Sequence, residues 1–352
     1  MKKTLIALTL AALPVASMAD VILYGQIKAG VEVAQTKVTV GGNTTKDHAT
    51  TEIADFGSRI GFKGSESLGS GLNAIWQVEN DISVAGGGTW AGRDSFIGLD
   101  GNFGKVRAGK LSTQLNDMDT LDPWEYSNNA LGLGVYTRTG ERVTSVRYDT
   151  PNFAGFSANV QFTPRDNQAN TGRDDDRRSD TSAYYAGLNY ENSGFFAQYG
   201  AGYSPSSYTA LSGQSKSGQV HRLEGGYDAN NLFVGVGVQY GKGWETSNDY
   251  MAALGYPAAV GAGTGVETTE AAVTAAYRFG NVTPRVSYAH GWEYKIAGDK
   301  VDGSKYDQVV LGADYDFTKR TTAMVSAGWL KVGGGDNKIQ TTAGLVGLRH
   351  KF

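Results

Sequence analysis

LFVGVGVQY, residues Leu232 to Tyr240, is the stretch from which the fold follows. Leu232, Val234, Val236, Val238 and Tyr240 share one parity, while Gly235, Gly237 and Gln239 share the other. Side chains alternate between the two faces of a strand, so this segment has one apolar face and one small or polar face. In a soluble sandwich the apolar face packs a core. In a membrane barrel it meets lipid, and the other face meets water. One strand does not separate the two; the number and sorting of the strands around it do.

The pattern repeats on both sides. Asp20 to Gln35 sets Leu23, Ile27, Val31 and Val33 against Gln26, Lys28 and Glu32. Ala54 to Gly64 sets Phe56, Ile60 and Phe62 against Arg59 and Lys63, and Leu72 to Ser83 sets Leu72, Ala74, Trp76 and Val78 against Asn73, Gln77, Glu79 and Asp81. Arg93 to Asp100 is a strand of unassigned parity, and Lys105 to Lys110 sets Val106 and Ala108 against Lys105 and Arg107. Glu141 to Thr150 sets Val146 and Tyr148 against Ser145, Arg147 and Asp149, and 156–163 alternates in the same way. Further strands fall near 180–191, 195–203, 219–228, 232–241, 268–279, 282–292, 305–316, 321–331 and 339–352. The connections alternate in length. Seven short turns lie near 68–71, 101–104, 151–155, 191–194, 228–231, 280–282 and 317–320; eight long loops lie near 36–52, 84–91, 111–140, 164–180, 204–218, 242–267, 293–304 and 332–338. Fifteen connections give sixteen strands. An even count with short turns at one end and long loops at the other predicts an all-β, 16-stranded antiparallel transmembrane barrel with short periplasmic turns and long extracellular loops. Closure leaves no open edge, which lipid does not tolerate.

Composition agrees. Lys2 and Lys3, the apolar run Leu5 to Val15 and Ser17-Met18-Ala19 read as a cleaved secretory signal over residues 1–19, leaving a barrel domain over 20–352. Removing Lys2 and Lys3 takes the 32 basic residues to 30 against 35 acidic ones, a net charge of −5. There is no cysteine, so thiol and disulfide chemistry are excluded. No later apolar run approaches the ~20 residues of a membrane helix. The 49 glycines, 19 tyrosines and 13 phenylalanines suit barrel turns and interfacial girdles. Tyr190, Phe195, Tyr227, Phe279, Phe317 and Phe352 cluster at the short-turn ends, as one girdle requires.

One connection stands apart. Leu111 to Gly140, LSTQLNDMDTLDPWEYSNNALGLGVYTRTG, is long, lacks strand alternation and carries Asp117, Asp119, Asp122 and Glu125. Loops of this length inside a compact domain are uncommon and usually functional. It is expected to fold into the barrel and narrow the channel. Asp122-Pro123-Trp124-Glu125 predicts a short helix capped by Asp122, and Ser112 a second cap over Thr113 to Asn116. Parity puts Lys28, Lys63, Arg107 and Arg147 on the water side, with Arg59; Arg93, at the start of the strand without an assigned parity, is added to the set as a candidate. Loop acids facing wall bases would set up a field across the pore and make it weakly charge-selective.

Other motifs carry little. Arg173 to Arg178, RDDDRR, reads as a solvated loop, and Gly86–Gly88 and Gly333–Gly335 lack the strand-to-helix context of a phosphate loop. His48, His221, His290 and His350 lack metal-ligand spacing. No Ser/His/acid set can be assembled, so neither enzyme, metal nor cofactor is expected, and the dispersed charge argues against nucleic acid.

Several stretches carry a resemblance: DVILYGQIKAG from Asp20, GSRIGFKGSESLGSGLNAIWQVE from Gly57 to Glu79, RDSFIGLDGNFGKVRAGKL from Arg93 to Leu111, SVRYDTPNFAGFS from Ser145 to Ser157, and GLRHKF ending at Phe352. The chain resembles a general porin of the β-proteobacterial type, most like the neisserial major outer-membrane porins. The resemblance implies a homotrimer in the bacterial outer membrane that passes ions and small hydrophilic solutes. It implies that the third loop, here 111–140, folds inward as the constriction. It also implies that Phe352, with Gly347 and His350 before it, is read by the barrel assembly machinery. His350 stands where many barrels have a second aromatic. The alternative is a barrel used as an adhesin or receptor scaffold, which would leave the long loop outside.

Overall fold

The computed structural model describes residues 20–86, 91–164, 182–209, 214–256 and 263–352. The segment 1–19, expected to be an export signal, and the acidic-basic run 173–178 lie outside them. Twenty strands follow in order: β1 Asp20–Val40, β2 Asn43–Lys46, β3 Thr50–Asp55, β4 Arg59–Gly69, β5 Leu72–Asp81, β6 Ser95–Gly101, β7 Gly104–Ser112, β8 Arg142–Asp149, β9 Phe156–Thr163 and β10 Ala183–Asn192. The second half has β11 Phe195–Thr209, β12 Ser215–Ala229, β13 Leu232–Thr246, β14 Gly265–Tyr277, β15 Val282–Gly291, β16 Lys295–Ile296, β17 Asp299–Lys300, β18 Tyr306–Asp316, β19 Thr321–Gly334 and β20 Asn337–Lys351. β1, β4 to β15 and β18 to β20 are the staves of a closed 16-stranded antiparallel barrel. β20 returns to β1 in register from Gln26↔Lys351 to Thr39↔Lys338, which closes it. β2, β3, β16 and β17 are extensions and a small hairpin in the long loops.

Alternation sorts the staves as expected. On β1, Leu23, Ile27, Val31 and Val33 are exposed outward while Gln26, Lys28 and Glu32 are buried inward. On β13, Val234, Val236 and Val238 are exposed outward while Gln239 is buried inward. β6, without an assigned parity, turns Ile97 and Leu99 outward and therefore Phe96 inward. Rings pair along the outer rim near the short turns: Phe156 with Tyr190, Phe195 with Tyr227, Tyr277 with Phe279 and Tyr315 with Phe317. A second set, Phe162–Tyr184–Tyr203, lies toward the long-loop end, where no aromatics were singled out from sequence.

Three local readings change. The stretch 54–64 is not one strand: the chain breaks between β3 and β4 at Gly57, whose φ is +85°. Asp55 holds the break by accepting from the Gly57 and Ser58 amides, both at 2.8 Å. The break rotates Phe56 inward, away from the face of Ile60 and Phe62. The stretch 332–338 is not a long loop. β19 and β20 pair through Gly334↔Asn337, leaving a two-residue turn, with Gly335 at φ +54°. Strands also run into the predicted loops at 36–40, 204–209 and 242–246, so the staves are longer at that end than alternation alone indicated.

Candidate functional site

The third loop leaves β7 at Ser112 and rejoins the wall at Arg142. Its first turn is α1, Gln114–Asp117, capped by the Thr113 side chain, which accepts from the Asn116 amide. The cap is therefore one residue later than Ser112. The Ser112 hydroxyl instead donates to Asp94 Oδ1 at 2.9 Å. No helix starts at Asp122. Its carboxylate accepts from the Leu133 amide at 3.0 Å and from the Tyr126 hydroxyl at 2.6 Å, tying the two legs of the loop together. Glu125 does not reach back to form a capping box, because it points across to Lys28 and Arg349. A short 3-10 turn, Asn129–Leu131, and α2, Gly134–Thr137, complete the loop.

One side of this loop is apolar and packs on the inner wall. Leu121, Trp124, Ala130, Leu131, Leu133, Val135 and Tyr136 are buried against Ala272, Ala289, Tyr306, Val310, Leu330 and Leu345 from the strands. Each fully buried large side chain contributes ~1.5–3 kcal/mol. Inward glycine makes the approach possible: a Cβ at Gly328 would collide with the Ala130 carbonyl. The backbone is held as well. The Glu32 carboxylate accepts from the Ser127 and Asn128 amides at 2.7 and 3.1 Å, and Trp124 Nε1 donates to Ser287 Oγ at 2.8 Å.

Two arginines fasten the loop, and neither was singled out from sequence. Arg222 on β12 is fully buried. Its guanidinium donates to the carbonyls of Leu115 (3.0 Å), Met118 (3.2 Å) and Tyr136 (3.3 Å), to Thr139 Oγ1 (2.8 Å) and to Gln239 Oε1 (2.9 Å). Arg138, on the loop itself, pairs with Glu245 at 2.8 Å and Glu270 at 2.6 Å and lies over the Tyr250 ring. Tyr250 belongs to α3, Ser247–Ala253, which Thr246 and Asp249 close with a reciprocal capping box. Parity puts Arg222 opposite the outward Leu223, so its inward direction was readable. Its loop partners, 83 to 107 residues away in the chain, were not.

The expected site residues separate into groups. Asp117 meets Arg147 at 2.6 Å; Arg147 also pairs with Asp149 and donates to the Ser112 carbonyl at 2.7 Å. Arg107 stands beside Arg147 in register, pairs with Asp149 at 2.7 Å and stacks over Phe96. Glu125 bridges Lys28 and, at 3.0 Å, Arg349. Arg93 pairs with Glu79 and Asp81, and Arg59 lies 3.7 Å from Glu79, so these two bases answer wall acids rather than the loop. Lys63 faces inward over the Tyr24 ring at 5.1 Å, with no ion pair among the described residues and none with the loop. It sits toward the short-turn end, because β4 runs from Arg59 into the 68–71 turn. Asp119 is exposed and has no ion pair among the described residues. Asp122 serves the loop's own fold. Phe352 Cζ packs where a Cβ on Gly25 would stand, and its amide and carbonyl bond Gly25 at 3.1 Å, fastening the last strand to the first.

Sequence reading passed over Arg349 and Arg285. Arg285 pairs with Asp314, donates to the Pro123 carbonyl and lies over the Trp124 ring at 5.1 Å. A space of about 780 Å³ lies below the loop. Lys28, Arg59, Arg285, Arg349 and Lys351 line it against Asp119, Asp122, Glu125 and Asp314. Enclosure pushes the Asp122 carboxyl up to about 6, against the hydrogen bonds from Leu133, Tyr126 and Trp124 that favour its charge. Desolvation also raises Asp117 and Asp119, with Arg147 opposing it at Asp117 and Asp119's own amide opposing it at Asp119.

Residues 28–352 match a family model described as Gram-negative porin. The major outer membrane protein P.IB of Neisseria sicca is 55% identical over 370 residues, covering all of both chains. That of Neisseria meningitidis serogroup B is 49% identical over 355 residues, again with full coverage. Among solved structures, OmpF of Salmonella typhi superposes with a TM-score of 0.69 at 20% identity, over 95% of this chain and 98% of that one. The trimer form of Vibrio cholerae OmpT superposes with a TM-score of 0.64 at 14% identity, over 95% and 99%.

Proposed function

The chain belongs to the Gram-negative porin family, and from that premise we propose that the 111–140 loop is the constriction of its outer-membrane diffusion channel. The protein is a porin, a channel rather than an enzyme. What supports the constriction reading is the meeting of loop acids with wall bases: Asp117 with Arg147, and Glu125 with Lys28 and Arg349. The loop is packed inward, which an adhesin scaffold does not require. Five bases against four acids around the space below the loop tilt the channel toward anions. Arg107, Arg59, Arg93 and Lys63 extend the basic wall on either side.

The short turns are periplasmic and the long loops extracellular in this proposal, with residues 1–19 removed as the export signal. The last strand, ending at Phe352, is the segment the assembly machinery reads. The functional unit is a homotrimer in outer-membrane lipid. The ring pairs of the girdles all lie on the sector from β9 to the turn after β18. The outward face of β20, β1 and β4 to β7 presents instead Val346, Leu348, Leu23, Ile27, Ile97 and Leu99, without such pairs, and is the face offered to neighbouring subunits. Conductance of the purified protein in planar bilayers tests the proposal: steps in groups of three are expected, and silent insertions would overturn it.

Acid should sharpen the anion tilt. Below about pH 6 the Asp122 carboxyl takes up a proton, and Asp117 and Asp119 follow above the ordinary carboxylate range. Each protonation removes negative charge from the loop while the arginines keep theirs. The reversal potential in a salt gradient should therefore move toward anions as pH falls from 7 to 4. A flat profile, or a shift toward cations, would contradict it.

A further inference from the structure

We infer that the outer wall of β11 to β18 carries a seat for a phosphorylated outer-leaflet lipid, with an acyl chain in a groove and the head group at a histidine–aspartate–lysine rim. The groove encloses about 810 Å³ on the outward face. Its floor is made by Ala197, Gly225, Val236, Ala271 and Val273, where small side chains interrupt the larger ones around them. Register sets these residues in two neighbouring rows. Ala197, Gly225, Val236 and Val273 form the lower row, which ends at Tyr288. Leu223, Val238 and Ala271 form the upper row, which ends at His290, Asp307 and Lys331.

Only that end is polar. Asp307 Oδ1 lies 2.8 Å from His290 Nδ1 and accepts from the Tyr288 hydroxyl at 2.9 Å. Trp292 meets the His290 ring edge-on at 4.8 Å. Lys331 has no ion pair among the described residues. At ~3.3 Å per residue and a strand tilt of about 40°, the climb from Val282 to His290 is roughly 20 Å, within an apolar band about 25 Å tall. The cluster therefore sits at the upper margin of the band, at head-group depth. The groove below it runs into the hydrocarbon. Ionisable groups on a lipid-facing wall are unfavourable unless a counter-group covers them. Lys331 supplies the positive charge for a phosphate, and the Asp307 carboxylate holds the His290 imidazole at Nδ1 so that its other nitrogen faces outward. The sector is the aromatic-paired one, not the face assigned to neighbouring subunits. The outer-leaflet assignment rests on the orientation proposed above.

The test is native mass spectrometry of the full refolded protein in detergent, with purified diphosphorylated lipid A as probe. Dephosphorylated lipid A and a phosphoglycerolipid are the comparison probes. The wild type should retain lipid A. A271W and, separately, Ala197→Leu fill the floor. Each excluded methylene weakens retention about fourfold, so losing two should cost about fifteenfold. H290Q with K331Q should lose the preference for the phosphorylated probe and keep the acyl contribution. L99W, on the other sector, should retain lipid A as the wild type does. Heat-modified mobility on gels confirms that each variant is a folded barrel. Unchanged retention by both floor variants would overturn the groove. Equal retention of the dephosphorylated probe by the wild type would overturn the rim. Preference for the phosphoglycerolipid would overturn the outer-leaflet source while leaving the channel reading intact.

Discussion

Arg222→Met should turn a quiet channel into a noisy one. The guanidinium reaches from the wall to both legs of the third loop, at Leu115 and Met118 on one leg and at Tyr136 and Thr139 on the other. Methionine fills similar volume and donates nothing. Three buried carbonyls then lose this donor, and each acceptor left unpaired costs about 1–3 kcal/mol. Glu224, buried 4.0 Å from Arg222, also loses its counter-charge, and leaving one member of a buried pair alone costs about 3–5 kcal/mol. The strand ladder of β12 does not use the guanidinium, so the barrel should still form. Single-channel records should show rapid fluctuation between conductance levels and a higher mean current, with little change in gel mobility of the folded form. Arg222→Lys should be intermediate, because it keeps the charge and loses the fork. Records as quiet as the wild type would mean that the apolar packing of Leu121, Leu131 and Leu133 holds the loop alone.

Glu125→Gln should produce the largest change in selectivity. Glu125 is the shared partner of Lys28 and Arg349, so neutralising it leaves two cations without a counter-charge. A unit charge about 7 Å from a passing ion is worth roughly 0.6 kcal/mol in a water-like medium, or about 2.7-fold in relative permeability, and more where the walls lower the dielectric. The reversal potential in a potassium chloride gradient should move toward anions by at least that factor. The shift should shrink as ionic strength rises and the Debye length falls below the pore width. Asp119→Asn removes an unpaired acid and should act in the same direction. Arg93→Gln should do much less, since Glu79 and Asp81 already answer it on the wall. A shift toward cations on Glu125→Gln would refute the assignment of the narrow point.

Much of this was readable in the chain, and the division has a physical basis. Strand alternation carries one bit per residue, inward or outward, and that bit is local. It placed Lys28, Arg107 and Arg147 on the water side. It would have placed Arg349 and Arg222 there too, opposite Leu348 and Leu223. What alternation does not carry is height. Lys63 shares its parity with Arg59 but lies nearer the short turns, away from the loop acids. Nor does it survive a break in the strand: one glycine at 57 put Phe56 on the wrong face. The loop was the least readable part. Local capping rules assigned Asp122 and Glu125 to each other, whereas Asp122 is held by Leu133 and Glu125 by the opposite wall. Both acids had longer-range partners that a short helix would have denied them.

The bond between Glu125 and Arg349 joins positions 224 residues apart, and Gln308 reaches the carbonyl of Asn129 across 179. These partners arrive only when the last three staves are in place. The narrow point therefore cannot exist in a partly zipped sheet. It is the final event of maturation rather than an early one, since loop closure over such separations must precede the contacts that reward it. A half-assembled chain would be a wide, unselective hole if it reached the membrane. Selectivity acquired later than insertion, when refolding is followed in time, is what this order of events entails.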